Sequence, residues 1–198
     1  MNNKEKILDC SLDLFFKHWF EEVSMNMIIE KSWVSKWWIY HYFISKEDIL
    51  EKSLQRYISD VIQKKDEILN NKDIEINVKF YEVLNLILNT YAKNIEMLTK
   101  INSDKKYLKI RETIDKLYTK DKECNMNNLI EEYSIYLENT QKDNPHIKYI
   151  REKFHLLIFF IDNFWTFIWQ HNLSHKEAEL YISLLKEIIT DVISQFNI

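Results

Sequence analysis

Val34-Ser35-Lys36-Trp37-Trp38-Ile39-Tyr40-His41-Tyr42-Phe43-Ile44-Ser45-Lys46-Glu47 is the stretch on which the reading of this chain turns. Ser35 stands ahead of a short helix that should reach His41. Ser45 stands ahead of a long one, with Asp48 where a capping box usually has Glu. Upstream, Ile7, Leu8, Ser11, Leu12, Phe15 and Phe16 recur at helical spacing, in a first amphipathic helix that should end near Trp19. Ser24 then heads a short helix with Met27 and Ile28, and Ser32-Trp33-Val34 breaks it. One longer helix followed by two short ones across a tight turn is the pattern of a helix-turn-helix. The second short helix enters a major groove only with donors outside and apolar side chains inside. Lys36, Trp37, Tyr40 and His41 fall on the outer side, and Ile39 and Phe43 on the inner side, towards Ile28 and Leu12. Lys46 and the capped helix starts are placed to meet phosphates. On pattern alone, a helical bundle with a polar face explains the stretch equally well.

The remainder is helical in spacing, and no segment alternates like a half-buried strand. A long helix continues from Ser45 through Leu50, Leu54, Ile58 and Ile62 to a break at Asn70-Asn71-Lys72-Asp73. The next spans about 76–99, with a break at 102–104. Residues 105–140 read as two helices split near 121–125. Pro145 opens a helix running to about His171. Ser174-His175-Lys176-Glu177 is a capping box for a terminal helix over 174–196. The expectation is an all-α chain of about nine helices, with a helix-turn-helix domain over 1–46 and a helical domain over 47–198.

Composition narrows the function. The net charge of −4 excludes a general basic coat, so nucleic-acid binding has to use a local patch. Cys10 and Cys124 form neither a metal-spaced pair nor a disulfide framework, which fits a reducing cytoplasm. No apolar run is long enough to span a membrane, and the polar start is not a signal peptide. Glycine is absent, where ordinary usage would supply roughly 14 residues. A phosphate loop, a nucleophile elbow and a dinucleotide fingerprint all need it, so no enzyme motif is present. His171 and His175 lie four apart across a break with no third ligand beside them, and read as exposed loop histidines. The expectation is no enzyme, no metal and no cofactor.

The residues themselves break the tie left by pattern. Lys6-Ile7-Leu8-Asp9, Leu14-Phe15, Phe20, Val23-Ser24-Met25, Ile28, Val34-Ser35-Lys36, Ile39-Tyr40-His41-Tyr42-Phe43 and Ser45-Lys46-Glu47 resemble the DNA-binding domain of the tetracycline-repressor (TetR) family of transcription regulators. The resemblance covers 4–50 and is most specific over 34–47. It implies that Ser24, Ser35, Tyr40, His41 and Lys46 hold the DNA backbone. It also implies that Lys36, Trp37 and Trp38 face base edges; the two-fold symmetry of a dimer would make the partner an inverted-repeat duplex. One departure stands out. The family has glycine at the positions of Trp19 and Trp33, and typically at Trp37. The first two fall where a helix end and a turn favour positive φ. With no glycine anywhere, all six tryptophans (19, 33, 37, 38, 165 and 169) are expected to stand where a parent sequence has glycine.

The helix over 147–169 is apolar nearly all round, so it needs cover on two sides. One side meets its own domain and the other a second copy of the chain, with the terminal helix completing a four-helix bundle. Leu157, Ile161, Phe164, Ile168, Leu184, Ile188 and Val192 are the expected dimer contacts. Tyr81, Tyr91, Tyr107, Tyr118, Tyr133, Tyr136 and Phe154 suit either core packing or a pocket for an apolar or aromatic effector. The resulting reading is a cytoplasmic homodimeric regulator, a repressor released from its operator by a small molecule. The alternative is a helical ligand-binding or enzymatic dimer with a residual, non-functional helix-turn-helix.

Overall fold

The computed structural model describes residues 2–122, 126–171 and 173–194. Among them are nine α-helices and no strand: α1 (Asn3–Glu22), α2 (Met25–Ser32), α3 (Lys36–Tyr42), α4 (Lys46–Asn70), α5 (Ile76–Ser103), α6 (Leu108–Lys122), α7 (Met126–Thr140), α8 (Ile150–His171) and α9 (His175–Ser194), with 3-10 turns at Lys105–Tyr107 and Pro145–Ile147. Among the described residues no helix is long and apolar enough to cross a membrane. Cys124 and the 123–125 link lie outside the described residues, as do the side chains of Trp165 and Trp169.

Local chemistry sets most boundaries. Asn2 caps α1 by accepting from the Glu5 N–H, and Glu5 returns the bond to the Asn2 N–H. The Ser24 hydroxyl accepts from the Met27 N–H at the start of α2. At α4 the Ser45 hydroxyl accepts from the Asp48 N–H, while the Asp48 carboxylate accepts from the Ile44 N–H. Ser174 and Glu177 form the expected box at α9. Three expectations need correction. Ser35 has extended N-cap backbone, but its side chain makes no capping bond. Helix α5 continues to Ser103 rather than stopping near 99. Helix α8 starts at Ile150 rather than at Ile147, because Pro145–Ile147 forms a 3-10 turn and Tyr149, at φ 69°, interrupts the helical backbone just before Ile150.

Two compact units form, residues 1–60 with 104–117, and residues 61–103 with 118–198. In the first, α1, α2 and α3 close over Ile7, Phe15, Phe20, Ile28, Ile39 and Phe43, all at most 4% exposed. Burial of such side chains contributes roughly 1.5–3 kcal/mol each. Helix α4 locks on through Arg56, 3.3 Å from Asp9, and through the Ser53 hydroxyl, which donates to the Leu8 carbonyl at 3.1 Å. In the second unit Phe80 stacks on Tyr133, and Phe154 packs edge-on to Phe80 and tilted to Tyr133, with centroids 4.2–5.3 Å apart. Tyr91 stacks on Phe164 and donates its hydroxyl proton to the Ile161 carbonyl. Phe80, Tyr91, Tyr133 and Phe154 thus serve as packed core.

Candidate nucleic-acid interface

Helix α3 rests on Ile39, which is fully buried, and is flanked by Val34 and Phe43, also buried. At 100° per residue this turns Lys36, Trp37, Tyr40 and His41 outwards, and all four are exposed. Trp38 sits at the margin, 36% exposed against 64% for Trp37. The helix contains no acidic residue, so the face is neutral to basic. Ser24 and Ser35 are exposed at the starts of α2 and α3, and the hydroxyl of Ser35 is not used as a cap.

The turn between α2 and α3 depends on Trp33. Its φ and ψ of 54° and 29° form a left-handed C-cap, and its N–H donates to the Ile29 carbonyl at 3.1 Å. The indole stands 87% exposed. Trp19 takes φ 60° and ψ 159° and kinks α1. That region of backbone space is essentially confined to glycine. Positive φ at both positions is what the sequence led one to expect. Trp37 and Trp38 lie inside a regular helix, where nothing in the backbone asks for glycine.

Lys46 is placed otherwise than expected. Its ammonium donates to the carbonyls of Phe20 and Val23 at 2.6 and 2.8 Å and lies 4.2 Å over the Phe20 ring. It therefore closes the end of α1 just after the Trp19 kink. Partial burial holds its pKa below the ordinary lysine value. Any phosphate contact by Lys46 has to add to these bonds or displace them.

The same unit contains a cluster that sequence reasoning missed. Glu21 accepts from the Tyr107 hydroxyl at 2.7 Å and from Lys106. Partial burial works to raise the Glu21 pKa, but these bonds hold it below the usual carboxylate value. Tyr107 packs edge-on against Trp19 and Phe20. Glu51 accepts from Lys109 and from Thr113 in the same segment. The partners are about 60 to 85 residues apart in sequence, and no local pattern announces them.

In the second unit the expected dimer contacts divide. Ile161 and Ile168 are 1% and 0% exposed and belong to the protomer's own core, while Leu157 and Phe164, also largely buried, form the floor of a groove between α8 and α9. The outward apolar side chains of α8 are Leu156, Phe159 and Phe160, each about 60% exposed. On α9, Leu184 and Ile188 are exposed and Val192 is half-buried. Together they border that groove, of about 570 Å³. Among the described residues, no cluster of histidine, cysteine or acidic side chains is arranged to hold a metal.

Residues 7–52 match the family described as bacterial regulatory proteins, tetR family. No curated protein matches the chain. Among solved structures, the fatty acid degradation regulator FadR from Bacillus halodurans superposes with a TM-score of 0.59, at 16% identity, over 97% of this chain and 95% of that one. A TetR transcription regulator from Haloarcula marismortui gives 0.58 at 15% identity, over 94% and 95%. At these identities the likeness is one of fold.

Proposed function

We propose that the chain, whose residues 7–52 match the tetR family of bacterial regulatory proteins, is a ligand-responsive, DNA-binding transcriptional regulator that works as a homodimeric repressor, released from an inverted-repeat operator by a small molecule. Residues 1–46 bind DNA and residues 47–198 take the effector and the second subunit. The observation that carries the reading is the outer face of α3, where Lys36, Trp37, Tyr40 and His41 stand exposed over a buried Ile39. Ser24, Ser35, Tyr40, His41 and Lys46 hold phosphates, while Lys36, Trp37 and Trp38 face the bases.

The dimer forms through Leu156, Phe159 and Phe160 of α8 with Leu184, Ile188 and Val192 of α9, four helices in all. A contiguous apolar stripe of this kind is rarely left to solvent. The effector is apolar or aromatic and acts in the cytoplasm, where the operator is. It binds the helical domain of one state of the dimer more tightly. That domain then no longer presents both recognition helices at half-site spacing.

Selection from random duplex DNA, followed by salt titration of the winners, tests the reading. The expected result is an inverted repeat for which the logarithm of affinity falls linearly with the logarithm of salt concentration. Failure to retain any duplex, with a stable dimer still present, would favour a helical ligand-binding dimer with a residual motif.

A further inference from the structure

We infer that Trp37 and Trp38 read thymine methyl groups, so that this regulator recognises its half-site mainly by apolar contact with T rather than by paired hydrogen bonds to purines. The inference rests on the DNA-binding reading above and specifies how that surface selects sequence.

Three observations support it. First, α3 carries no Arg, Asn or Gln, the side chains that make most paired hydrogen bonds to guanine or adenine edges. Lys36 is its one cationic chain, and the ammonium leans over the Tyr40 ring at 5.8 Å. Trp offers a single N–H donor and no acceptor. Second, the indoles are exposed and held. Trp37 stacks on His41 with an interplanar angle of 8° and a centroid distance of 5.0 Å. Trp38 stacks on Tyr42 at 19° and 5.5 Å. The two indoles meet edge-on at 4.7 Å. Fixed rings lose little rotamer freedom on binding. Third, the only apolar group that a base pair presents in the major groove is the C5-methyl of thymine. A rigid aromatic surface pressed to the groove floor therefore gains from T and loses the hydration of polar edges at every other base.

The test replaces thymine by uracil in the selected duplex, which removes methyl groups and leaves the hydrogen-bonding edges unchanged. Affinities of the full-length chain are measured by fluorescence anisotropy for the T and U duplexes. Each contacted methyl should be worth about fourfold in affinity, so the U duplex should bind several-fold more weakly. Trp37→Ala and Trp38→Ala should each shrink the T-to-U ratio, with circular dichroism showing the fold retained. Lys36→Ala should weaken both duplexes alike. Equal affinity for T and U in the unsubstituted chain overturns the inference while the DNA-binding reading stands. A ratio unchanged in both Trp variants also overturns it. Tighter binding to single strands than to duplex overturns it as well, because the indoles then act as a base-stacking platform. Failure to bind any duplex removes the regulator reading itself.

Discussion

Trp33 and Trp19 are two of three positions, with Tyr149, where a residue bearing a Cβ takes a positive φ among the described residues. A left-handed conformation costs a residue with a Cβ roughly 1–2 kcal/mol, and Trp33 recovers little of this because its ring is 87% exposed. Trp33→Gly should therefore stabilise the chain by about 1 kcal/mol, after the extra freedom gained by the unfolded state is subtracted. Urea unfolding with an unchanged m-value would measure it. A loss of stability would mean that the indole makes contacts worth more than the strain. Trp19→Gly is a less clean test, because the Trp19 ring packs edge-on against Tyr107. Both positive φ angles could be anticipated from the sequence, since a missing glycine at a turn leaves the turn's geometry in place. The position of Lys46 could not. Its carbonyl partners, Phe20 and Val23, lie 26 and 23 residues away and are defined only once the Trp19 kink has formed. Lys46→Ala should consequently do two things, lower thermal stability and weaken binding to all DNA sequences alike. A change in base preference would contradict the placement.

Caps were the most readable feature along the helices, because an N-cap is a contact across three residues. The boxes at Ser174–Glu177 and Ser45–Asp48 were visible as strings and are present as bonds. Glu177 accepts from the Ser174 N–H and hydroxyl, and these bonds hold its pKa below 4.5. A carboxylate depressed in the folded state stabilises fully above its unfolded value, and that contribution is lost as pH falls through the lower folded value. Glu177→Gln should therefore reduce the unfolding temperature at neutral pH and make progressively less difference as pH falls below the ordinary carboxylate range. An equal deficit at neutral and acid pH would exclude the charge as the cause. Helix α8 was harder to read. Leu156 to Ile161 are all apolar, so spacing offers two faces with equal claim to the core. The packed face runs through Leu157, Ile161, Phe164 and Ile168, which leaves Leu156, Phe159 and Phe160 outside. Its packing against α7 and α5, with Tyr91 of α5 on Phe164, distinguishes them, and spacing within α8 does not announce it.

For the assembled protein, the all-helical fold and the helix-turn-helix were evident because every segment carried the same period and one segment carried a specific string. The cluster of Glu21, Lys106 and Tyr107 was not evident, because it unites the start of the chain with its middle. The exposed stripe on α8 and α9 sets a further expectation. Phe160→Asp should raise the dimer dissociation constant at least about 100-fold, the equivalent of about 2.7 kcal/mol, since a carboxylate would be buried without a partner. Sedimentation over a dilution series would read it, and a variant as dimeric as the parent would place the interface elsewhere.

If that stripe pairs two copies as proposed, it also makes the protein a counter of its own copies. An operator with two half-sites is filled by pairs, and below the dissociation constant the number of pairs rises as the square of the number of chains. Halving the synthesis rate would then cut occupancy about fourfold in that regime. Newly made single chains, with Phe159, Phe160 and Ile188 bare, are also the form most open to proteases and aggregation. Scarcity would hasten their removal. Repression by such a protein would switch off more sharply with dose than the affinity of any one contact would suggest.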